Sequence, residues 1–389
     1  MKTITGTPAR KDKFFNRPKI RQQLIESIQN GENILISAPR RVGKSSILLD
    51  LVDSPEDNFY PVFIDTEAID NAETFFKTIL HAILDADKIE NFKGFSKKDR
   101  EKLGEWVNRI ASFKIGNLVE VKVDKAPERS FYEKFIEFLT EYKIEDRQIL
   151  LMIDEFPITV ENIVQKSGPD AAINFLSQNR AIRQNPLFHE KIKVVYTGSI
   201  GLFTAVKKIG ATDRINDVRE VHIGPLNQKE AALFFTELMK ETCRVTPNEE
   251  MIGYTLQKIE WWIPFYFQLL VRELSHLLDD EQPLTTAIIN ESFSNVIKHG
   301  DIYFEHFKSR LAKIFKSPEE LAFVNALLLL LKKDSWVNIN TIVNLANDEK
   351  YKAQNQLDSI LEILIHDGYI VKNNNSYNFY SPILKAWWK

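Results

Sequence analysis

The stretch Asn33-Ile-Leu-Ile-Ser-Ala-Pro-Arg-Arg-Val-Gly-Lys-Ser-Ser46 reads as a short apolar strand running into a loop and the start of a helix. Its end, Gly43-Lys44-Ser45, fits the pattern G-x-x-x-x-G-K-[ST], with Ala38 where the first glycine usually stands. Such a loop aims backbone N–H groups, an ammonium and a hydroxyl at one point at a helix mouth, which is the donor set for a triphosphate and its metal. Ala38, Pro39, Arg40, Arg41, Val42, Gly43, Lys44, Ser45 and Ser46 are therefore the expected cofactor-binding segment. Lys44 is placed to reach the β- and γ-phosphates and Ser45 to ligate Mg²⁺. Arg40 and Arg41 either touch phosphate or are exposed cations at a helix start.

A second stretch, Ile149-Leu-Leu-Met-Ile-Asp-Glu155, is an apolar strand ending in two carboxylates. Asp154 is expected to hold Mg²⁺ through water, because that ion keeps several waters and few protein carboxylates. Glu155 is expected to polarise the attacking water as a general base. Together the two stretches predict a nucleoside-triphosphate hydrolase site. Lys193-Val-Val-Tyr-Thr-Gly-Ser-Ile200 is a further apolar strand ending in small polar residues. Thr197 or Ser199 there can sense the γ-phosphate through a hydrogen bond, or serve only as turn and cap. Arg214 and Arg219 fall at the rim of such a sheet. Arg214 in particular can complete a neighbour's site in trans, which is compatible with a homo-oligomer, or can be a surface arginine.

Working outward, residues 1–16 read as a flexible entry, and Pro18 opens a helix closed by Asn30-Gly31. Apolar strands at Phe59–Asp65, Gln148–Ile153, Lys193–Thr197 and Arg219–Ile223 join the first strand, with helices at Asn71–Asp85, Ser130–Tyr142 and Asp170–Gln184 between them. Non-alternating apolar strands separated by helices indicate a parallel sheet covered on both faces. Residues 86–128 break the rhythm and read as an insertion with a helix at Leu103–Ala111 and a hairpin at Phe113–Val123. After Gly224-Pro225-Leu226 only helices are expected, up to about Phe315. Three more helices follow from Pro318, the third spanning about Tyr351–His366, and then a hairpin of Tyr369–Val371 with Tyr377–Tyr380, the order of a winged helix. The expected division is 1–225 for the nucleotide-binding domain, 226–315 for a helical lid and 316–389 for the winged helix.

The 389 residues carry 51 Lys+Arg against 54 Asp+Glu, a formal charge of −3, with no overall bias toward nucleic acid or a membrane surface. One cysteine, Cys243, cannot form an internal disulfide, and no apolar signal segment or membrane span is visible, so a cytoplasmic location is expected. From Lys316 onward there are eight lysines, eight acids and no arginine. A neutral winged helix lacks the electrostatic footprint of a DNA binder, so a protein contact or an autoinhibitory role is favoured over DNA.

Several motifs resemble those of AAA-type P-loop ATPases of the archaeal-ATPase-like branch, close to the signal-transducing STAND NTPases and the origin-initiator ATPases. They are Ser37-Ala-Pro-Arg-Arg-Val-Gly-Lys-Ser45, Ile153-Asp-Glu-Phe-Pro157, Phe14-Phe-Asn-Arg17 and Tyr380-Ser-Pro-Ile-Leu-Lys-Ala-Trp-Trp388. The resemblance implies an α/β P-loop fold with a five-stranded parallel sheet, a helical lid and a C-terminal winged helix. It implies ATP or ADP and Mg²⁺ as ligands, with Phe15 to Arg17 lining the adenine and Pro264 of Ile263-Pro264-Phe265-Tyr266 in the lid turn. Trp262 stands where that family has glycine, and no lid arginine for sensing phosphate is evident. The expected function is an ATPase whose hydrolysis switches lid and winged-helix positions. The alternative is a nucleotide-gated scaffold or DNA-binding regulator with negligible turnover.

Overall fold

The computed structural model describes residues 2–83, 129–141, 147–198, 201–279, 282–351 and 353–389. The expected insertion at 86–128, with its helix and hairpin, and Ser199 both lie outside the described residues. In chain order the first part contains α1 (Pro18–Gln29), β1 (Asn33–Ser37), α2 (Lys44–Asp53), β2 (Phe59–Asp65), α3 (Ala72–Ile83), α4 (Phe131–Glu141) and β3 (Gln148–Asp154). It continues with α5 (Phe156–Ser167), α6 (Pro169–Gln184), α7 (Pro186–His189), β4 (Ile192–Gly198), α8 (Leu202–Lys208) and β5 (Val218–His222).

The five strands form one parallel sheet in the order β2-β3-β4-β1-β5. Every residue of β1 and β4 is buried, as a central strand covered on both faces requires. Register then fixes the functional edge. Ser37 lies opposite Gly198, Ile153 opposite Tyr196 and Asp154 opposite Asp65, so the loop and the acids leave the sheet at the same carboxyl end. Ligands of open parallel sheets bind at that edge.

The second part is helical: α9 (Gln228–Cys243), α10 (Glu249–Ile259), α11 (Pro264–Leu277), α12 (Thr286–Lys298) and α13 (Asp301–Ile314). Asn227 starts α9 with a reciprocal cap, its side chain accepting from Glu230 N while the Glu230 carboxylate accepts from Asn227 N. The last part runs α14 (Pro318–Lys333), β6 (Val337–Asn338), α15 (Ile339–Ala346), α16 (Leu357–His366), β7 (Ile370–Asn373), β8 (Ser376–Phe379) and α17 (Pro382–Trp387). Its strands form an antiparallel sheet in the order β6-β8-β7, and helix, strand, two helices and two strands follow one another along the chain.

Several elements depart from the sequence reading, the short α7 and β6 among them. Helix α5 was not expected, although Pro157 sits in its first turn, where proline is tolerated, and Phe156, Val160 and Ile163 are buried on one side. Helix α17 likewise starts with a Ser381 cap and Pro382. The third helix of the last part starts at Leu357 rather than Tyr351, preceded by a single 3-10 turn at Gln354–Gln356.

Leu226 through Trp388 contribute to one continuous core, to which the five helices of the second part and all elements of the last part belong. Trp387 and Trp388 belong to it, each 1% exposed, with Trp387 against Phe304 of α13 and Trp388 against Tyr369 and Phe379. Trp387→Ala is expected to cost about 3–5 kcal/mol, the usual loss for deleting a buried aromatic. Urea unfolding should show residues of α13 and of β8 melting together in one transition.

Candidate nucleotide site

A cavity of about 280 Å³ opens at the carboxyl edge of the sheet. Residues 40–47 form its floor, Glu155 stands on one side, and Phe15, Phe234, Pro264 and Phe265 form an apolar wall. Residues 4–9 and Lys13 close the remaining side. The entry segment was expected to be flexible. Instead it is tied down: Ala9 N donates to Ser46 Oγ at 2.9 Å, Ile4 N to Gln268 Oε1, and Arg10 pairs with Asp53 at 2.6 Å.

The loop takes the shape its sequence allows. Gly43 has φ 102°, a left-handed conformation suited to glycine, immediately before α2 begins at Lys44. Arg41 is also left-handed at φ 69°, and its guanidinium lies 4.5 Å from the centre of the Phe265 ring, linking the loop to α11. Lys44 is 6% exposed and donates to the carbonyl oxygens of Ala38 and Pro39 at 2.9 and 3.1 Å. Ala38 therefore contributes its backbone and a buried methyl group; neither it nor Pro39 lines the cavity.

Asp154 is the hub of the acidic side. Its carboxylate accepts hydrogen bonds from Ser45 Oγ, from Thr197 Oγ1 and from Glu155 N, the last at 3.1 Å. Its own carbonyl accepts from Thr66 N and Thr66 Oγ1 at 3.1 and 2.8 Å, tying β3 to the exit of β2. Glu155 is left-handed at φ 56°, a conformation uncommon outside glycine, and this sharp turn ends β3 while keeping Glu155 on the cavity wall. The predicted loop, hydroxyl and acids thus come together. Thr197 is fully buried against Asp154, so its hydroxyl orients the acid.

Two other expected residues are placed differently. Arg17 reaches the cavity, but its guanidinium donates to Gly224 O and Pro225 O at 3.0 and 3.1 Å, fastening the segment between sheet and helices. Arg214 is not among the cavity residues; it lies 3.4 Å from Asp213 on a 3-10 turn. Arg219 is paired with Glu32 at 2.6 Å.

Sequence reasoning missed Arg310, His366 and Asp367. Arg310 Nε donates to Asp367 Oδ2 at 2.8 Å, and Ser37 Oγ is 2.7 Å from His366 Nε2, so the turn after α16 rests directly on the loop. Gly368, at φ 76°, faces Pro39 so closely that a Cβ there would come within 3.0 Å of Pro39 Cβ. An arginine at the end of a helix and an acid before a glycine carry no local signal of meeting.

Burial pushes the Lys44 ammonium down to about 8, against the attraction of Glu155 and then Asp154. A folded-state value below the unfolded one means that the unfolded chain binds more protons between about 8 and 10.5, so stability rises with pH across that window. The gain is expected to be on the order of 3 kcal/mol. Urea unfolding at pH 7.5 and 10.5 should show it for the parent chain but not for Lys44→Met.

Residues 21–196 match the model of a family described as predicted AAA-ATPase. No curated protein sequence matches the chain significantly. Among solved structures, the Walker-type ATPase PABY2304 of Pyrococcus abyssi is similar with a TM-score of 0.65 at 17% identity, over 97% of this chain and 96% of that one. The ORC2 protein of Aeropyrum pernix, in its ADPNP–ADP complexes, is similar with a TM-score of 0.54 at 10% identity, over 95% and 90% of the two chains. At these identities the likeness shows the fold. The segment carrying the loop and both acids therefore resembles the predicted AAA-ATPase family, within a chain that shares the fold of a Walker-type ATPase.

Proposed function

We propose that this protein binds ATP with Mg²⁺ in the cavity above the loop and hydrolyses it to switch the position of its helical and C-terminal parts. The observation that carries this reading is the Ser45–Asp154 hydrogen bond beside a cavity that Lys44 and Glu155 both line. In this reading Lys44 and the loop amides hold the β- and γ-phosphates. The Ser45 hydroxyl and the Asp154 carboxylate are hard oxygen donors that suit Mg²⁺, and the ion supplies charge neutralisation at the phosphates when bound. Glu155 takes the proton of the attacking water. Phe15 with Pro264 and Phe265 flanks the base, and Ser199, outside the described residues, stays a candidate sensor of the terminal phosphate. The determination of ORC2 with ADPNP and ADP supports a nucleotide as the ligand of this fold. A neighbouring copy presenting Arg214 would complete the site in trans.

The division into 1–225, 226–315 and 316–389 is carried into this proposal, with the last unit acting through protein contact or autoinhibition. Two observations favour that over DNA. Within α16 the exposed residues are Asp358, Ser359 and Glu362, with no cation among them. The far end of the same helix is occupied by the loop. A helix that reads a major groove normally brings arginine or lysine to it.

Lys44→Ala is expected to abolish ATP binding in calorimetry. Glu155→Gln should bind ATP as the parent does while phosphate release falls about a hundredfold or more; equal turnover in the two would refute the base assignment. No mobility shift of duplex DNA is expected even at low salt. A salt-sensitive shift that disappears when Lys350 and Lys352 are replaced would reverse the choice of partner.

A further inference from the structure

The entry segment crosses the nucleotide cavity and is anchored on both sides of it. On the helical side Thr3 N donates to Thr242 Oγ1 of α9 at 3.3 Å, and Ile4 N donates to Gln268 Oε1 of α11. Thr5 Oγ1 accepts from Arg272 Nη1, one turn further along α11, at 3.3 Å. On the sheet side Ala9 N is bonded to Ser46 and Arg10 is paired with Asp53, both residues of α2. Between these anchors Gly6, Thr7 and Pro8 are exposed, and all three line the cavity.

Gln268 is the anchor that also belongs to the cavity wall, and it is 6% exposed. A backbone N–H can only donate, so the amide atom facing Ile4 N is the oxygen, and the orientation of the side chain is settled. The NH₂ end then points away from the entry segment. Nε2 has no partner among the described residues and is not enclosed, so its two donors are open to the cavity. The other uncharged polar side chains of the wall are spent or exposed. Ser45 donates to Asp154, Ser46 accepts from Ala9 N, Thr5 accepts from Arg272, and Thr7 lies at the surface. Gln268 is one helical turn from Pro264, on the same face of α11, and so stands with the apolar wall of Phe15, Pro264 and Phe265. Such a wall suits the faces of a planar base. The edge of that base then needs a donor, because an acceptor taken out of water without one loses a hydrogen bond.

We propose that Gln268 reads the base of the bound nucleotide: Nε2 donates to an acceptor nitrogen on the base edge while Oε1 holds Ile4, so base binding and closure of the entry segment share one amide. This rests on the nucleotide reading above and adds the part of the ligand that the helical side recognises. A base that takes the NH₂ end fixes the oxygen toward Ile4. The ordered segment in turn keeps the base from leaving. Adenine offers ring acceptors at N1, N3 and N7, whereas a chain of phosphates offers none to this wall.

The test uses the full chain, titrated with ATP, ADP, tripolyphosphate and the three deaza forms of ATP that lack N1, N3 or N7. Amide exchange at residues 3–9 is the second readout. In the parent, ATP and ADP should slow exchange at Ile4 and tripolyphosphate should not. One deaza form should bind about five- to tenfold more weakly than ATP, the worth of one hydrogen bond. Gln268→Glu keeps an acceptor for Ile4 N and removes the donor. It should weaken ATP and ADP by a similar factor, more than it weakens tripolyphosphate, and should bind that deaza form no more weakly than ATP. Gln268→Leu removes both ends of the amide and should also speed exchange at Ile4 without ligand. Equal losses of ATP and tripolyphosphate in Gln268→Glu reassign the effect to charge and overturn the proposal. So does a parent with no deaza penalty, or a penalty that survives the substitution. If Gln268→Glu misfolds, Gln268→Met decides by the same deaza comparison. ATP binding with no Gln268 effect sinks this proposal and leaves the nucleotide reading standing, and a parent that binds no nucleotide removes both.

Discussion

A lysine ammonium shut away from water constrains everything around it. Lys44 is held by two carbonyl oxygens, which take up two of its three donors but carry no full charge. Its counter-charges are Glu155 and Asp154, which β3 delivers from two strands away. The parallel register that places the ends of β1 and β3 on the same edge is therefore an electrostatic requirement as much as a packing one. Asp154 in turn stays in place through hydroxyls from α2 and β4. Three separate segments converge on one carboxylate, and disturbing any of them moves the acid relative to the ammonium.

The C-terminal unit joins this arrangement from outside the sheet. Asp367 adds a third acid within electrostatic reach of Lys44, and it arrives with His366 and Gly368 on the loop itself. Arg310 of α13 lies between the two, bonded to Asp367 and acting on Arg40. The site is thus framed by the sheet edge, by the helical part and by the last turn of α16. A ligand that changes the charge at the loop changes the balance felt by all three.

Much of this was legible in the residues themselves. The loop Ala38–Ser46, the acids Asp154 and Glu155 and the five strands each carry a local signal: an apolar run of strand length, a glycine before a lysine, two carboxylates at a strand end. Helix α5 was missed although Pro157 in a first turn is a start signal. The entry segment was read as flexible because its order comes from partners far along the chain, such as Gln268 and Ser46. Arg17 has a sequence position that suggests the base but a geometry that fastens Gly224 and Pro225. Arg310 and Asp367 are 57 residues apart, and only tertiary packing reveals that they share a charge.

The single core running from Leu226 to Trp388 has a mechanical side. A body in which Trp387 packs on Phe304 and Trp388 on Phe379 has no break in its core at the junction of its halves, and a close-packed core resists bending there. The chain leaves the sheet at β5 and enters that body through Gly224 and Pro225, whose carbonyls Arg17 grips. The fulcrum of any swing therefore lies under Arg17, close to Ser37, which the end of α16 also touches.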